Sequence, residues 1–200
     1  MALSPSIELT APEAAQLLAI ARQAVETAAR EGRELEPPPL PGNLGIPAAT
    51  FVTLTQAGAL RGCMGSLEPS QPMAMSVARN AFNAALQDPR FAPMTPAETA
   101  RTHIEVAVLS PLESMAVADL DELLRTLEPG IDGLLIDDGT HRATFLPKVW
   151  EQLPSPDAFV AHLLAKAGLE QDAWPRCMRC YRYGAAGYAE PLHAGRTQAS

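Results

Sequence analysis

Residues 60–69 read Leu-Arg-Gly-Cys-Met-Gly-Ser-Leu-Glu-Pro, and they place one cysteine between two glycines. Just before the cysteine, two runs of strand-forming residues, 49–55 and 59–64, flank Gln56-Ala57-Gly58. Short runs of this kind on either side of a glycine-containing turn predict a β-hairpin. The cysteine is therefore expected on the second strand of a hairpin, close to its end.

This stretch is the best candidate for a functional site in the sequence. Alternate residues of a strand share a face, so Arg61 and Cys63 are expected to point the same way. A cation beside a thiol stabilises the thiolate, which is the nucleophilic form of cysteine. Gly62 and Gly65 carry no side chain, so a ligand or another backbone is expected to approach closely. The pattern indicates a site without naming a reaction.

Three predicted helices begin with the same device, a hydroxyl residue followed by a proline and an acid in the first turn. The device occurs at Thr10-Ala11-Pro12-Glu13, Thr95-Pro96-Ala97-Glu98 and Ser155-Pro156-Asp157. Apolar residues at helical spacing predict two further helices, over roughly 73–87 and 119–127. The cluster Glu36-Pro37-Pro38-Pro39-Leu40-Pro41, between the first helix and the hairpin, predicts an extended connector that crosses the surface.

Further strands are predicted between these helices. Residues 103–109 are rich in β-branched side chains, and residues 179–183 form the last strand-like run. A second hairpin is predicted from the runs 133–136 and 142–146 around Asp137-Asp138-Gly139-Thr140. Hairpins mixed with helices, without a regular β-α-β series, predict an α+β fold, an antiparallel sheet with flanking helices.

The composition is that of a globular protein with an acidic surface. The chain has 200 residues, 23 of them acidic and 15 basic, and a formal charge of −8. This balance disfavours a nucleic-acid partner, and the local group Arg176, Arg179 and Arg182 is expected to be a solvated strand face. No apolar run approaches the ~20 residues that a membrane span needs, and Met1 to Leu9 lacks the regions of a signal peptide. A cytoplasmic protein without a membrane partner is expected.

The decapeptide resembles the Leu-Arg-Gly-Cys-Ile-Gly signature of the AMMECR family, known in prokaryotes as AmmeMemoRadiSam system protein A. Met64 stands where the family usually has isoleucine, a volume-conserving exchange. Further blocks follow in the family order: Asn80, Asp88-Pro89-Arg90-Phe91, Ile104-Glu105-Val106, Leu109-Ser110-Pro111, Gly130-Ile131-Asp132-Gly133-Leu134, Phe145-Leu146-Pro147 and Lys166-Ala167-Gly168-Leu169. The resemblance covers residues 10–185 and predicts a single domain of two interleaved lobes, with residues 1–9 and 186–200 as flexible tails.

The resemblance implies an α+β fold of two unequal lobes, with the Arg-Gly-Cys motif near the cleft between them. It names no reaction and no cofactor, because the biochemical activity of the family is not established. The family name reflects association with a Memo-like protein, similar to class III extradiol dioxygenases, and with a radical-SAM protein. The resemblance therefore implies work with these partners in a shared modification or metabolic pathway.

Cys63 is a candidate nucleophile, a candidate metal ligand and a candidate buried structural thiol. Cysteine catalysis needs a base within hydrogen-bond reach. His103 and Glu105 share a face of one predicted strand, and they meet Cys63 if that strand neighbours the cysteine strand. The alternative is that Glu105 pairs with Arg61 or Arg90 as a structural ion pair. Glu105 matches a position of the family motif, whereas His103 does not.

A small anionic ligand is a further expectation. Arg61 and Arg90 offer planar forks of donors that suit a carboxylate or a phosphate, and the backbone beside Gly62 and Gly65 is open to close approach. A helix predicted to begin near Pro72 would add free amide groups. The spacing matches neither a P-loop nor a dinucleotide fingerprint, so the sequence does not identify the anion.

Cys177 and Cys180 have the spacing of half a zinc site, and no second pair exists in the chain. If the segment is a strand, residues three apart face opposite ways, so the two thiols diverge. They are interpreted as incidental thiols of a reducing compartment rather than as metal ligands. No metal site is predicted, and a metal-binding protein is the weakest reading of the chain.

Two functions remain open at the level of sequence. The first is a small enzyme or enzyme component with a ligand pocket between the lobes, where Cys63 is the nucleophile or redox thiol, Arg61 its activator and Glu105 the proton acceptor or orienting group. Its lining would include Gly62, Gly65 and Arg90. The second is a non-catalytic ligand-binding or protein-interaction module for the same partners, in which the Cys63 loop serves recognition or packing. A homodimer is compatible with either function.

Overall fold

The structure is a computed structural model that describes residues 7–191. It confirms the predicted α+β class, with two four-stranded sheets and helices packed beside them. The described chain divides into two compact units. The larger unit contains residues 7–108 and 186–191, and the smaller unit contains residues 109–185.

Helices and strands alternate irregularly along the described chain. The α-helices are α1 (Ala11–Glu31), α2 (Met73–Leu86), α3 (Pro96–Thr99), α4 (Leu120–Thr126) and α5 (Pro156–Lys166). The strands are β1 (Thr50–Gln56), β2 (Ala59–Ser66), β3 (Thr102–Leu109), β4 (Glu113–Met115), β5 (Gly133–Asp137), β6 (Arg142–Phe145), β7 (Arg179–Tyr183) and β8 (Ala185–Ala189). Two short 3-10 helices cover Gly42–Gly45 and Pro147–Glu151.

The sheet of the larger unit has the strand order β2-β1-β3-β8. Strand β1 pairs antiparallel with β2 on one side and with β3 on the other. Alternation along β1 sends Thr50, Val52 and Leu54 to a buried face and leaves Phe51 and Thr53 on a half-buried face. Helix α2 packs on β1 and β2, and α1 packs on α2. The buried face of the sheet therefore meets a helical layer rich in alanine.

The predicted helix starts are confirmed by their caps. At the start of α1, the Thr10 hydroxyl accepts the Glu13 N–H while the Glu13 carboxylate accepts the Thr10 N–H at 2.9 Å, which is a complete capping box. Helix α3 begins with the same box, and α5 begins with a serine cap. Gly32 caps the C-terminal end of helix α1. Its backbone is left-handed (φ 67°), which suits glycine because a side chain would be strained there.

The sheet of the smaller unit has the strand order β4-β7-β5-β6. The predicted hairpin turn between β5 and β6 is present, and the Asp137 and Asp138 side chains accept the N–H groups of Gly139 and Thr140 at 2.8 Å each. Helix α5 packs beside β6 and carries Phe159 into the core. An aspartate-rich turn and an apolar helix face thus build this unit locally.

The structure differs from the sequence prediction at both ends of the domain. Residues 186–189, predicted as part of a flexible tail, lie in β8 of the larger sheet. This segment reads Ala-Gly-Tyr-Ala, and because alanine and glycine have low β-propensity no local pattern marks the strand. Ile7 and Leu9, also predicted as tail, pack against the core of the larger unit. Residues 1–6 and 192–200 lie outside the described residues.

Helix α1 is the longest helix at 21 residues, and its buried side chains follow one stripe. The stripe includes Leu17, Ala21, Ala24, Val25 and Ala28. The exposed face of the helix carries small and polar residues, including Gln16, Gln23 and Arg30, as expected where one face packs on a core and the other meets solvent. Within residues 7–191, the length and apolarity required of a membrane-spanning helix are not reached.

Candidate functional site

Three polar side chains form a row across three adjacent strands of the larger sheet. Thr53 of β1 lies opposite Cys63 of β2 on one side and opposite Glu105 of β3 on the other. Directly paired residues of neighbouring strands point to the same face. All three are half-buried, and the Thr53 hydroxyl lies 3.4 Å from the Cys63 sulfur. We call these three residues the Cys63 row.

The strand order corrects one expectation from the sequence. Strand β3 does not neighbour β2, because β1 lies between them. Neighbouring strands are about 4.8 Å apart, so the backbones of Cys63 and Glu105 are about 10 Å apart. His103 lies opposite Thr55 and not in the Cys63 row, and its Nε2 is 2.7 Å from the Glu190 carbonyl oxygen. A direct Cys63–His103 pair is therefore not formed.

The backbone of Cys63 is held by an aspartate and an arginine from the loop that follows α2. Asp88 Oδ2 accepts the Cys63 N–H at 2.9 Å, and Arg90 Nη2 donates to the Cys63 carbonyl at 3.4 Å. The two side chains also bind each other through Arg90 Nε–Oδ1 at 2.9 Å and Nη2–Oδ2 at 2.7 Å. This bidentate pair fixes the position of Cys63 on the strand.

The same pair sets the electrostatics around the thiol. Hydrogen bonds from Arg90 hold the pKa of Asp88 at about 2, although its burial opposes the shift. The pKa of Arg90 is raised, first by Asp88 and further by the charge of a Cys63 thiolate. The Arg90 cation and a thiolate at Cys63 would therefore attract each other. The Arg90 side chain is 53% exposed, so solvent weakens this effect.

Arg61, which the sequence offered as the activating cation, is engaged elsewhere. Its Nε binds Glu98 Oε1 at 2.9 Å, and its Nη2 donates to the Ala92 carbonyl at 2.9 Å. Arg61 holds the pKa of Glu98 at about 2. The guanidinium groups of Arg61 and Arg90 lie 5.8 and 5.5 Å from the ring centre of Phe91. Arg61 thus pairs with Glu98, and Arg90 pairs with Asp88. Neither arginine forms, within the described residues, the ion pair with Glu105 that the sequence offered as the alternative to a catalytic role.

The space beside each glycine of the motif is filled by the protein itself. A Cβ atom at Gly62 would lie 2.1 Å from the Ala84 carbonyl oxygen of α2. A Cβ atom at Gly65 would lie 2.2 Å from the ring of Phe51, its partner across the β1–β2 pair. The expected close approach thus exists, but it is made by a helix and an aromatic ring of the same chain.

Sequence reasoning missed three residues that contact Cys63 or Arg61. Thr53 carried no signal, because only strand pairing brings it to the thiol. Asp88 stands two residues before Arg90, and a carboxylate so close in sequence to the candidate anion-binding arginine was a usable signal. Glu98 was identified only as a helix-start acid, and its bond to Arg61 spans 37 residues. A pair so far apart in the chain cannot be predicted from a local sequence pattern.

The two other cysteines lie in different surroundings, but only Cys180 is on strand β7, and Cys177 precedes it in a turn. Cys180 is buried in the core of the smaller unit, and burial raises its pKa to about 12. Cys177 is exposed, and its sulfur donates to the Asp138 carbonyl at 3.1 Å. Among residues 7–191, no group of three or more His, Cys, Asp and Glu side chains is arranged to hold a metal ion.

Comparison with known proteins places these features in a family. The AMMECR1 family model matches residues 18–188. A protein from Thermofilum pendens is 35% identical over 204 aligned residues, 94% of each chain. One from Methanothermobacter thermautotrophicus is 36% identical over 193, covering 91% of this chain and 96% of its own. The crystal structure of the uncharacterised protein PH0010 from Pyrococcus horikoshii is similar, with a TM-score of 0.85, 31% identity and coverage of 92% of this chain and 94% of that one.

Proposed function

The chain belongs to the AMMECR1 family, and we propose that it is a small enzyme, or an enzyme component, whose reactive group is the Cys63 thiol. The observation that supports this most is the Cys63 row. It lines up a thiol, a hydroxyl and a carboxylate on one half-buried sheet face. A nucleophile, a proton-carrying group and a base are the parts that covalent cysteine chemistry requires.

Each member of the row has a distinct role in this proposal. Cys63 attacks as a thiolate or acts as a redox thiol, and Arg90, which donates to the Cys63 carbonyl at 3.4 Å, takes the role that the sequence offered to Arg61. The backbones of Glu105 and Cys63 are about 10 Å apart across the sheet. It therefore accepts a proton through Thr53 or through a substrate that spans the row. The substrate is then a small molecule with polar groups at both ends.

A small anionic ligand remains part of the proposal. The Arg90 side chain is about half exposed, so an anion can reach it from solvent. Nη1 of Arg61 is a buried nitrogen without a hydrogen-bond partner within the described structure. Because this nitrogen is closed to solvent and Arg61 is already paired with Glu98, Arg90 is the arginine that a bound anion would contact.

The family resemblance supports the wider setting of the proposal. We propose that the chain acts in the cytoplasm together with a Memo-like protein and a radical-SAM protein, in one modification or metabolic pathway. The Cys63 row would then act on a molecule that one of these partners makes or consumes.

A second candidate function is a non-catalytic binding or interaction module for the same partners. It is favoured by the way the motif is used inside the fold. Both arginines are ion-paired, and the space beside both glycines is occupied. In this reading Gly62 and Gly65 serve packing, and Cys63 is a half-buried thiol held by Asp88 and Arg90.

Alkylation of Cys63 by iodoacetamide at neutral pH, read by peptide mass spectrometry, tests the enzyme proposal. The chain supplies its own references, because Cys177 is exposed and Cys180 is buried with a raised pKa. If the proposal holds, Cys63 reacts faster than Cys177 although it is less exposed. Arg90→Ala slows the reaction of Cys63 about two- to fivefold, because an interaction with a half-exposed charge is worth at most about 1 kcal/mol.

Arg30→Ala is the matched control, because it removes an exposed arginine of α1 that pairs only weakly with Glu26. It should leave the alkylation rate of Cys63 unchanged. A Cys63 that reacts no faster than Cys180 until the protein unfolds would overturn the enzyme proposal and favour the binding module.

A further inference from the structure

The proline cluster between α1 and the first 3-10 helix forms an exposed ridge on the larger unit. Five residues, 37–41, include four prolines, and only Leu40 among them has a backbone N–H. Proline fixes φ near −65°, so such a run adopts the polyproline II conformation. Pro41 has φ −77° and ψ 173°, an extended backbone of this kind. We call residues 36–41 the proline ridge.

Burial along the ridge follows the threefold period of a polyproline II helix. Pro37 and Leu40, three residues apart, are half-buried. Pro38 and Pro41, also three apart, are exposed, and so is Pro39. A polyproline II helix has three residues per turn and therefore three edges. One edge rests on the protein, and the other two face outward.

An apolar groove runs beside the ridge. A cavity of about 450 Å³ lies between the ridge and the start of α2, and its lining includes Pro38, Leu44, Pro72 and Met75. The Met75 side chain is 42% exposed. Methionine makes favourable contacts with aromatic rings. The groove therefore has room and chemistry for an aromatic side chain that packs against the prolines.

The ridge also has an electrostatic polarity. Glu34 and Glu36 are both exposed at its N-terminal end and both line the groove. Arg79 of α2 lies 3.6 Å from Glu34, whereas Glu36 on the groove wall has no paired cation among residues 7–191. The surface is thus apolar along the prolines and acidic at one end.

From these features we propose that the proline ridge is a docking site for a protein partner whose groove is lined by aromatic side chains and flanked by a basic side chain. Grooves of this kind bind polyproline II segments that contain the sequence motif Pro-x-x-Pro. Pro38-Pro39-Leu40-Pro41 matches this motif, and both of its terminal prolines are exposed. The segment is already held in shape by the fold, so little conformational entropy is lost on binding. The site is independent of Cys63.

Calorimetric titration of the full chain with purified SH3 and WW domains tests the proposal, because both are aromatic-lined proline-binding probes. We expect at least one probe to bind. The double variant Pro38→Ala/Pro41→Ala should weaken that binding at least about tenfold, and Glu36→Lys should weaken it most at low salt. Pro154→Ala is the matched control, since it removes an exposed proline outside the ridge and should change nothing.

Three outcomes would overturn the proposal. The first is that no probe binds at concentrations up to about 1 mM. The second is that the double variant, shown by circular dichroism to be folded, binds as well as wild type. The third is that wild type is a dimer by sedimentation and the double variant a monomer, which would make the ridge a contact between two copies of this chain.

Discussion

Asp88 connects more of the candidate site than any other single residue described around it. Its side chain is 2% exposed and accepts from the Cys63 N–H, the Arg90 N–H and the Arg90 guanidinium. A buried carboxylate is tolerated only when its oxygens are paired in this way. The position of Cys63 therefore depends on Asp88 staying ionised.

We predict an acid-sensitive term in stability from this residue. The pKa of Asp88 is about 2 in the folded protein and near 3.9 in an unfolded chain. A lowered pKa stabilises the fold above about pH 4, and this contribution is lost as the pH falls toward 2. Asp88→Asn should lower the free energy of unfolding at neutral pH by roughly 2 kcal/mol and flatten its decline in acid. Urea denaturation between about pH 2 and pH 7 measures both effects.

Asp172→Asn provides the control for this experiment, because it also removes one negative charge but at an exposed position. Glu98, whose pKa is also about 2, contributes an acid-sensitive term of the same sign in every variant. A profile of Asp88→Asn that runs parallel to that of wild type would contradict the prediction.

The close packing of strand β2 depends on two glycines, which have no side chain. Its Gly62 lets the backbone of α2 approach, and its Gly65 accommodates the ring of Phe51 on the opposite face. Helix α2 supports the first approach with a run of small buried side chains that includes Ala81, Ala84 and Ala85. A strand without these glycines would sit farther from both neighbours.

We predict that the two glycines differ in their response to substitution. Gly62→Ala should destabilise the protein by about 3 kcal/mol, because its Cβ meets a backbone carbonyl that cannot move without shifting α2. Gly65→Ala should cost less, because its Cβ meets the Phe51 side chain, which can move about χ1, rather than a backbone. In the double variant, Phe51→Ala should recover part of that cost, because it removes the clashing ring atoms. Thermal or urea unfolding of the single and double variants gives the comparison.

Gly187→Ala is the matched control from the same sheet. A Cβ atom there has room, because its nearest neighbour would be Glu105 Oε1 at 3.9 Å. It should change stability by no more than about 0.5 kcal/mol. Equal destabilisation by all three substitutions would show that strand glycines matter here for a reason other than close packing.

At the scale of the whole molecule, the larger unit is assembled from distant parts of the chain. Glu190 follows β8 and binds Arg22 of α1 through both carboxylate oxygens. Glu190 Oε2 also accepts the Ile104 N–H at 3.0 Å. Arg22 in turn donates to the carbonyls of Thr99 and Thr102 at 2.7 Å each. One ion pair thus joins α1, β3 and the segment after β8.

We predict that Glu190→Ala lowers the free energy of unfolding by about 3 kcal/mol, because it leaves a largely buried arginine without its anion. Urea denaturation at neutral pH is the measurement. Glu8→Ala removes an exposed acid from the same unit and should have a small effect. A Glu190→Ala variant as stable as wild type would mean that Arg22 is satisfied by its two carbonyl partners alone.

The fold class and most helices and strands were predictable from the sequence, although the short strand β4 was not. Capping residues such as Thr10 and Ser155 mark helix starts because they act on amides within three residues. The hairpins β1–β2 and β5–β6 follow from alternation and turn residues, which are equally local. Strand β8 was not predicted, because the sequence Ala-Gly-Tyr-Ala forms a strand only when it pairs with a neighbouring strand.

The surroundings of Cys63, by contrast, depend on how distant elements pack together. The sequence correctly put Cys63 and Glu105 on strands, but the strand order inserted Thr53 between them. It correctly marked Gly62 and Gly65 as places of close approach, but packing filled them with α2 and Phe51. Periodicity reports which face of an element a residue occupies. Which other element meets that face depends on contacts between residues far apart in the chain, and no local pattern encodes them.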